Sequence, residues 1–176
     1  IFNNLSLGQA PQQMKRLLAA PVSLQKGVLE RIGEQVSRAR AGKPAYIGMK
    51  MNSLTDKKII DALMEASDAG VPVDLIVRGS CCIVGGIPGK TKNIRVISIV
   101  GRFLEHSRIY LFGLGESQKI YIGSADLMTR NTMHRVEVIT PVEDGACRER
   151  LRQMFAILLA DNQNCHLQMA DGNYMR

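Results

Sequence analysis

Tryptophan is absent from the 176 residues, and Phe and Tyr together make up only 5% of them. Stacking platforms for single-stranded nucleic acid are therefore thinly supplied. Long apolar runs are missing too. None approaches the roughly 20 residues that a membrane-spanning helix needs, and no basic-then-apolar signal segment opens the chain. The cysteines number four, Cys81, Cys82, Cys147 and Cys165. They form no C-x-x-C pair and no Cys/His ligand spacing, which argues against a zinc site. Free thiols in a reducing cytosol are expected, so the expected location is the cytoplasm, with peripheral membrane association left open. Acidic residues are in deficit: 16 Asp and Glu face 23 Lys and Arg, a net charge of +7. That balance implies an acidic partner, which at this level is nucleic acid, nucleotide or inorganic polyanion.

What is present suits one folded domain. Hydrophobic residues are 45% and charged residues 22% of a chain long enough to bury its own core. The chain opens at Ile1 without Met and without periodicity, and reads as a fragment or a processed product. We expect a lead-in over 1–22 and the domain over 23–176. Leu24, Val28, Leu29, Ile32 and Val36 fall at helical spacing between Ser23, a candidate cap, and Gly42. A short apolar run over 45–51 reads as a strand. Thr55 or Asp56 opens a second helix that Gly70 ends, and V-D-L-I-V at 73–77 is strongly β-prone. This strand–helix–strand unit predicts a right-handed parallel crossover, with ligands at the carboxyl ends of the strands. Lys50, Asn52 and Arg78 fall on that edge. Further strands are expected over 94–100 and 135–142, a hairpin over 108–112 and 119–124, and a helix over 147–160. The tail, with its D-G turn, reads as peripheral. The predicted class is α/β, a mixed β-sheet flanked by helices.

Charge concentrates in residues 78–108. Arg78, Lys90, Lys92, Arg95, Arg102 and Arg108 face a single acid, Glu105, a net of five positive charges, with His106 beside them. Glycines and cations between strands suit a fixed site for phosphate. The loop G-G-I-P-G-K-T-K (85–92) contains G-K-T but is not a Walker A loop. That motif needs glycine at 84, where Val stands, and a helix afterwards, where I-R-V-I-S-I-V is strand-like. Its backbone, Lys90 or Lys92 could still touch phosphate.

Period-two geometry puts His106 and Arg108 on one face of a strand, where a hydrogen-bond donor and a fixed charge can meet one anionic oxygen. The plainer alternative is a solvated strand-end His. Arg78 leaves the sheet where the backbone turns at Gly79 and can bind phosphate bidentately; the plainer alternative is an ordinary surface Arg. G-S-A-D (123–126) with H-S-R resembles one half of a phospholipase D-like site, although Arg108 stands for Lys and Asp126 for Asn. His134, His166 and the cysteines receive no role.

Longer segments carry a more specific resemblance: G-K-P-A-Y-I-G-M-K-M-N-S-L-T-D (42–56), D-A-G-V-P-V-D-L-I-V-R-G (68–79), N-I-R-V-I-S-I-V-G-R-F-L-E-H-S-R-I-Y (93–110), I-G-S-A-D-L-M-T-R-N (122–131) and the closing D-G-N-Y-M-R. Across almost the whole chain, the sequence resembles the C-terminal part of polyphosphate kinases of the long, histidine-phosphorylating type. The resemblance implies reversible transfer of the terminal phosphate of ATP to polyphosphate. It also implies a phospholipase D-like half, the last of two such domains behind an N-terminal and a helical domain. Arg78 and His106 match the family's ATP-contacting Arg and second essential His. Lys50, Arg102, Arg108 and Ser124 fall near the same pocket by the strand reading. The phosphorylated His, the nucleotide-stacking Tyr and the magnesium-associated arginines belong to the preceding domain and have no match here. The implied ligands are ATP or ADP, polyphosphate and magnesium held outside this chain. The upstream domains and a homo-oligomer are implied partners; nucleic acid is not. The rival readings are a phospholipase D-like phosphodiesterase half and a non-catalytic polyanion-binding module. The isolated piece is expected to be inactive.

Overall fold

Every residue of I-G-M-K-M, strand β2 (Ile47–Met51), is buried, as expected of a strand covered on both faces. The computed structural model describes Met14 and residues 16–176; the rest of the expected 1–22 lead-in lies outside the described residues. Helix α1 (Leu24–Arg40) lays Leu24, Val28, Ile32 and Val36 against the sheet. Ser23 stands at its cap position, but its hydroxyl accepts from the Ala19 N–H instead of capping the helix. Helix α2 (Lys57–Asp68) begins at Asp56, whose carboxylate accepts from the Lys58 and Ile59 N–H groups. Gly42 and Gly70, at φ +68 and +87, turn the chain out of the two helices in the left-handed conformation that glycine tolerates.

The remaining strands are β1 (Leu18–Ala19), β3 (Val73–Val77), β4 (Ile94–Ile99), β5 (Ile109–Phe112), β6 (Lys119–Gly123), β7 (Val138–Pro141), β8 (Cys165–Gln168) and β9 (Tyr174–Met175). They form one mixed sheet in the order β1-β7-β6-β5-β2-β3-β4-β8-β9. Among the described residues, only the strands β2, β3 and β4 pair in parallel with one another; all other strand–strand pairings are antiparallel. Alternation along each strand splits the core in two. Met49, Leu75, Val96 and Tyr110 join α1 and α2 on one face. Ile76, Ile97, Ile109 and Leu111 meet Phe155 of α4 (Gly145–Leu159) on the other. The class is the expected one.

Besides the Ser23 cap, three local expectations change. The tail lies at the sheet's edge but is not irregular: β8 pairs with β4 and β9 with β8, extending the sheet. A short helix α3 (Thr129–Met133) occupies a segment with no periodic signal. The strand expected over 135–142 shortens to β7.

Candidate functional site

Four chain segments meet at one edge of the sheet. Because β2 and β3 are parallel, Asn52 and Arg78 leave the same edge. Because β5 runs antiparallel to β2, its entry at His106–Arg108 lies there as well. β6 ends there at Gly123, beside β7. Gly123 is required: a Cβ there would overlap the Val138 carbonyl oxygen and lie 2.7 Å from the Ile139 Cα. These segments line a polar cleft of about 800 Å³ that includes Asn52, Arg78, His106, Arg108, Ser124 and Asp126.

Arg108 and Asp126, the two departures from the phospholipase D pattern, pair with each other. Arg108 Nε donates to Asp126 Oδ1 at 3.2 Å and Nη2 to Oδ2 at 3.0 Å. Their side chains are 9% and 11% exposed. Burial alone would raise the Asp126 carboxyl, but hydrogen bonds from Arg108 and Asn52, with the Arg108 charge, hold it below the usual carboxylate range. Arg108 also donates to the His106 carbonyl at 2.9 Å and sets Nη1 3.0 Å from His106 Nδ1. The His106 ring itself is exposed to the cleft. Arg78 Nε donates to Asn52 Oδ1 at 2.7 Å. Below the floor, Tyr110 is fully buried, donates to the Ala125 carbonyl, and has its phenol pushed far above its ordinary value by burial.

The expected site residues therefore separate. Arg78, His106, Arg108 and Ser124 come together, with Arg108 committed to Asp126. The Ser124 hydroxyl donates to Glu137, whose other oxygen accepts from Asn131 Nδ2 at 2.8 Å. Lys50 is not in the cleft lining. Its ammonium bonds Ser107 Oγ at 2.9 Å and the Ser107 carbonyl at 3.1 Å, with Glu105 at 3.5 Å, and burial lowers its pKa. It fastens the loop that carries His106. Arg102 lies in a smaller neighbouring cleft of about 250 Å³ shared with Arg78, its guanidinium 5.3 Å from the centre of the Phe103 ring. Lys90 and Lys92 precede β4, which is parallel to β3, so they sit at the opposite end of the sheet from Arg78. Arg95 pairs with Asp74 at 2.7 Å.

Arg130, Asn131, Arg135 and Glu137 also line the cleft, and none was singled out from residue pattern. Arg130 and Asn131 lie in the M-T-R-N segment that carries the family resemblance; Arg135 has no signal beyond its charge. Among the described residues, no group of three His, Cys, Asp or Glu could hold a metal ion. The cleft's two carboxylates are bonded to Arg108, Asn52, Ser124 and Asn131, so this half does not fit a magnesium site.

The family described as polyphosphate kinase C-terminal domain 2 matches residues 17–176. A polyphosphate kinase from Thermosynechococcus vestitus is 48% identical over 174 residues, covering 99% of this chain and 24% of the relative. One from Pseudomonas aeruginosa is 48% identical over 176 residues, covering 100% and 26%. The chain thus spans about a quarter of the length of these relatives. A crystal structure of polyphosphate kinase from Porphyromonas gingivalis superposes with a TM-score of 0.92 at 36% identity, covering 99% of this chain and 27% of that one. Nuc from Salmonella typhimurium, a phospholipase D family member, superposes with a TM-score of 0.62 at 15% identity, covering 92% and 97%. That last likeness is one of fold.

Proposed function

The chain belongs to the polyphosphate kinase family, and from that membership we propose that it works as the C-terminal domain of an ATP:polyphosphate phosphotransferase. It would supply half of an active site to a longer polypeptide in the cytoplasm, where its free thiols stay reduced. The observation that carries this reading is the meeting of Arg78 and His106 in one polar cleft, on a chain matched by the family over residues 17–176.

Phosphoryl transfer places little covalent demand on the protein and much demand on positioned cations. Arg78, tethered through Nε, would turn its terminal nitrogens to phosphate oxygens of ATP. His106 would donate a hydrogen bond to an oxygen of the transferring group, or a proton to the leaving phosphate oxygen as the upstream domain's histidine attacks the terminal phosphorus. That nucleophile and the magnesium ligands would come from the upstream domain. Arg130 and Arg135 add charge along the path of a polyanion. Phospholipase D-like phosphodiesterase chemistry is the weaker reading, because Arg108, standing for that family's Lys, is bound to Asp126.

The test is substitution in the full-length enzyme. His106→Ala should reduce phosphoryl transfer at least about 100-fold with the fold intact by circular dichroism; near-normal turnover would refute the assignment. Arg78→Ala should raise the KM for ATP.

A further inference from the structure

The proposed ligands Arg78 and His106 are not set independently. Asp126, 8% exposed, accepts at Oδ1 from the Asn52 N–H at 2.7 Å, the Ser53 N–H at 3.4 Å and Arg108 Nε at 3.2 Å. At Oδ2 it accepts from Arg108 Nη2 at 3.0 Å and Asn52 Nδ2 at 3.3 Å. On one side, Arg108 continues to the His106 carbonyl and ring. On the other, Asn52 Oδ1 accepts from Arg78 Nε at 2.7 Å. A single hydrogen-bonded chain thus runs His106–Arg108–Asp126–Asn52–Arg78.

We propose that Asp126 is a positioning residue that sets His106 and Arg78 in register with each other across the cleft. A carboxylate only accepts. Asn52 must therefore present its amide N–H to Asp126, which leaves its oxygen facing Arg78. The same carboxylate holds the Arg108 fork at two points, and a bidentate pair fixes orientation as well as charge. Arg108, so held, braces both the carbonyl and the ring of His106. Asp126 touches neither proposed ligand. It acts through Arg108 on one and through Asn52 on the other, from a seat tied to the backbone at the end of β2. Arg108 and Asp126, which stand where the phospholipase D pattern has Lys and Asn, are thus joined as one pair.

The inference rests on the functional reading above, and its test separates the two. In the full-length enzyme, Asp126→Asn puts an N–H donor where Asn52 and Arg108 also donate. Both ends of the chain should loosen, with kcat falling about 100-fold, as misplacement by about an ångström can cause, and the KM for ATP rising several-fold. Asn52→Ala should act on the Arg78 side, with a larger effect on KM for ATP than on kcat. In a double-mutant cycle, D126N should cost little further kcat once His106 is Ala, because residues acting as a unit are not additive. A purely structural role would instead give losses that multiply. Such multiplied losses, or wild-type kcat and KM in D126N while H106A is inactive, would overturn this inference alone. Should D126N fail to fold, N52A decides, since an unchanged KM for ATP would overturn it. Near-normal turnover in H106A would overturn the functional reading beneath it.

Discussion

Asp126 brings a charge into a place where charge is costly, and its partners determine the outcome. Breaking a buried pair strands the survivor and costs about 3–5 kcal/mol, so D126N should lower the unfolding free energy by that order. Its pH dependence has a definite sign. The folded carboxyl sits below its ordinary value. The pair therefore stabilises the domain fully above the unfolded carboxyl range, near pH 4, and loses that contribution as pH falls through the lower folded value. Urea unfolding from about pH 5 down to pH 2 should show the wild type losing stability more steeply than D126N; equal slopes would contradict the pairing energy. The sequence put Arg108 and Asp126 on the page as two separate departures from a motif. That they are one pair could not be read from it, because the residues are 18 apart and meet only when β5 and β6 are in register.

At the scale of elements, Asp56 links three helices. It caps α2, accepts from Gln25 Nε2 of α1 at 2.7 Å and from Thr132 Oγ1 of α3 at 2.7 Å. Asp56→Ala removes a cap and strands two side-chain donors, at an expected cost of about 2–4 kcal/mol, measurable as a lower urea midpoint. A change within a few tenths of a kcal/mol would mean that the three contacts are replaced by water. The long helices and the central strands were legible because each carries several periods of its pattern. Helix α3, five residues long, is too short to show one. The tail gives no strand signal because β8 and β9 are short and offer little apolar alternation; their partner strand, not their own sequence, makes them strands.

For the whole molecule, the tail closes the sheet beside β4, and the Gln168 side chain accepts from the Gly85 N–H at 3.0 Å. Deleting residues 165–176 would bare β4 as an edge strand. A lower melting temperature and concentration-dependent light scattering are expected; a monomer melting like the intact domain would refute this. The domain by itself should bind polyanions through the cleft yet make no polyphosphate from ATP, since the proposed nucleophile lies elsewhere; turnover by the purified chain would contradict the half-site reading. The sequence alone determined the α/β class, the parallel crossover and the placing of Arg78 and His106 at strand ends, because periodicity and turn chemistry are local. Tertiary structure decided which cations line the cleft. Residues 78–108 read as one basic segment, but the parallel return from β3 to β4 carries Lys90 and Lys92 to the far end of the sheet. The antiparallel entry of β5 brings His106 back to Arg78, and the ion pair with Asp126 offsets the charge of Arg108. Local pattern sets what each segment becomes, whereas strand order and direction set which charges share a cleft.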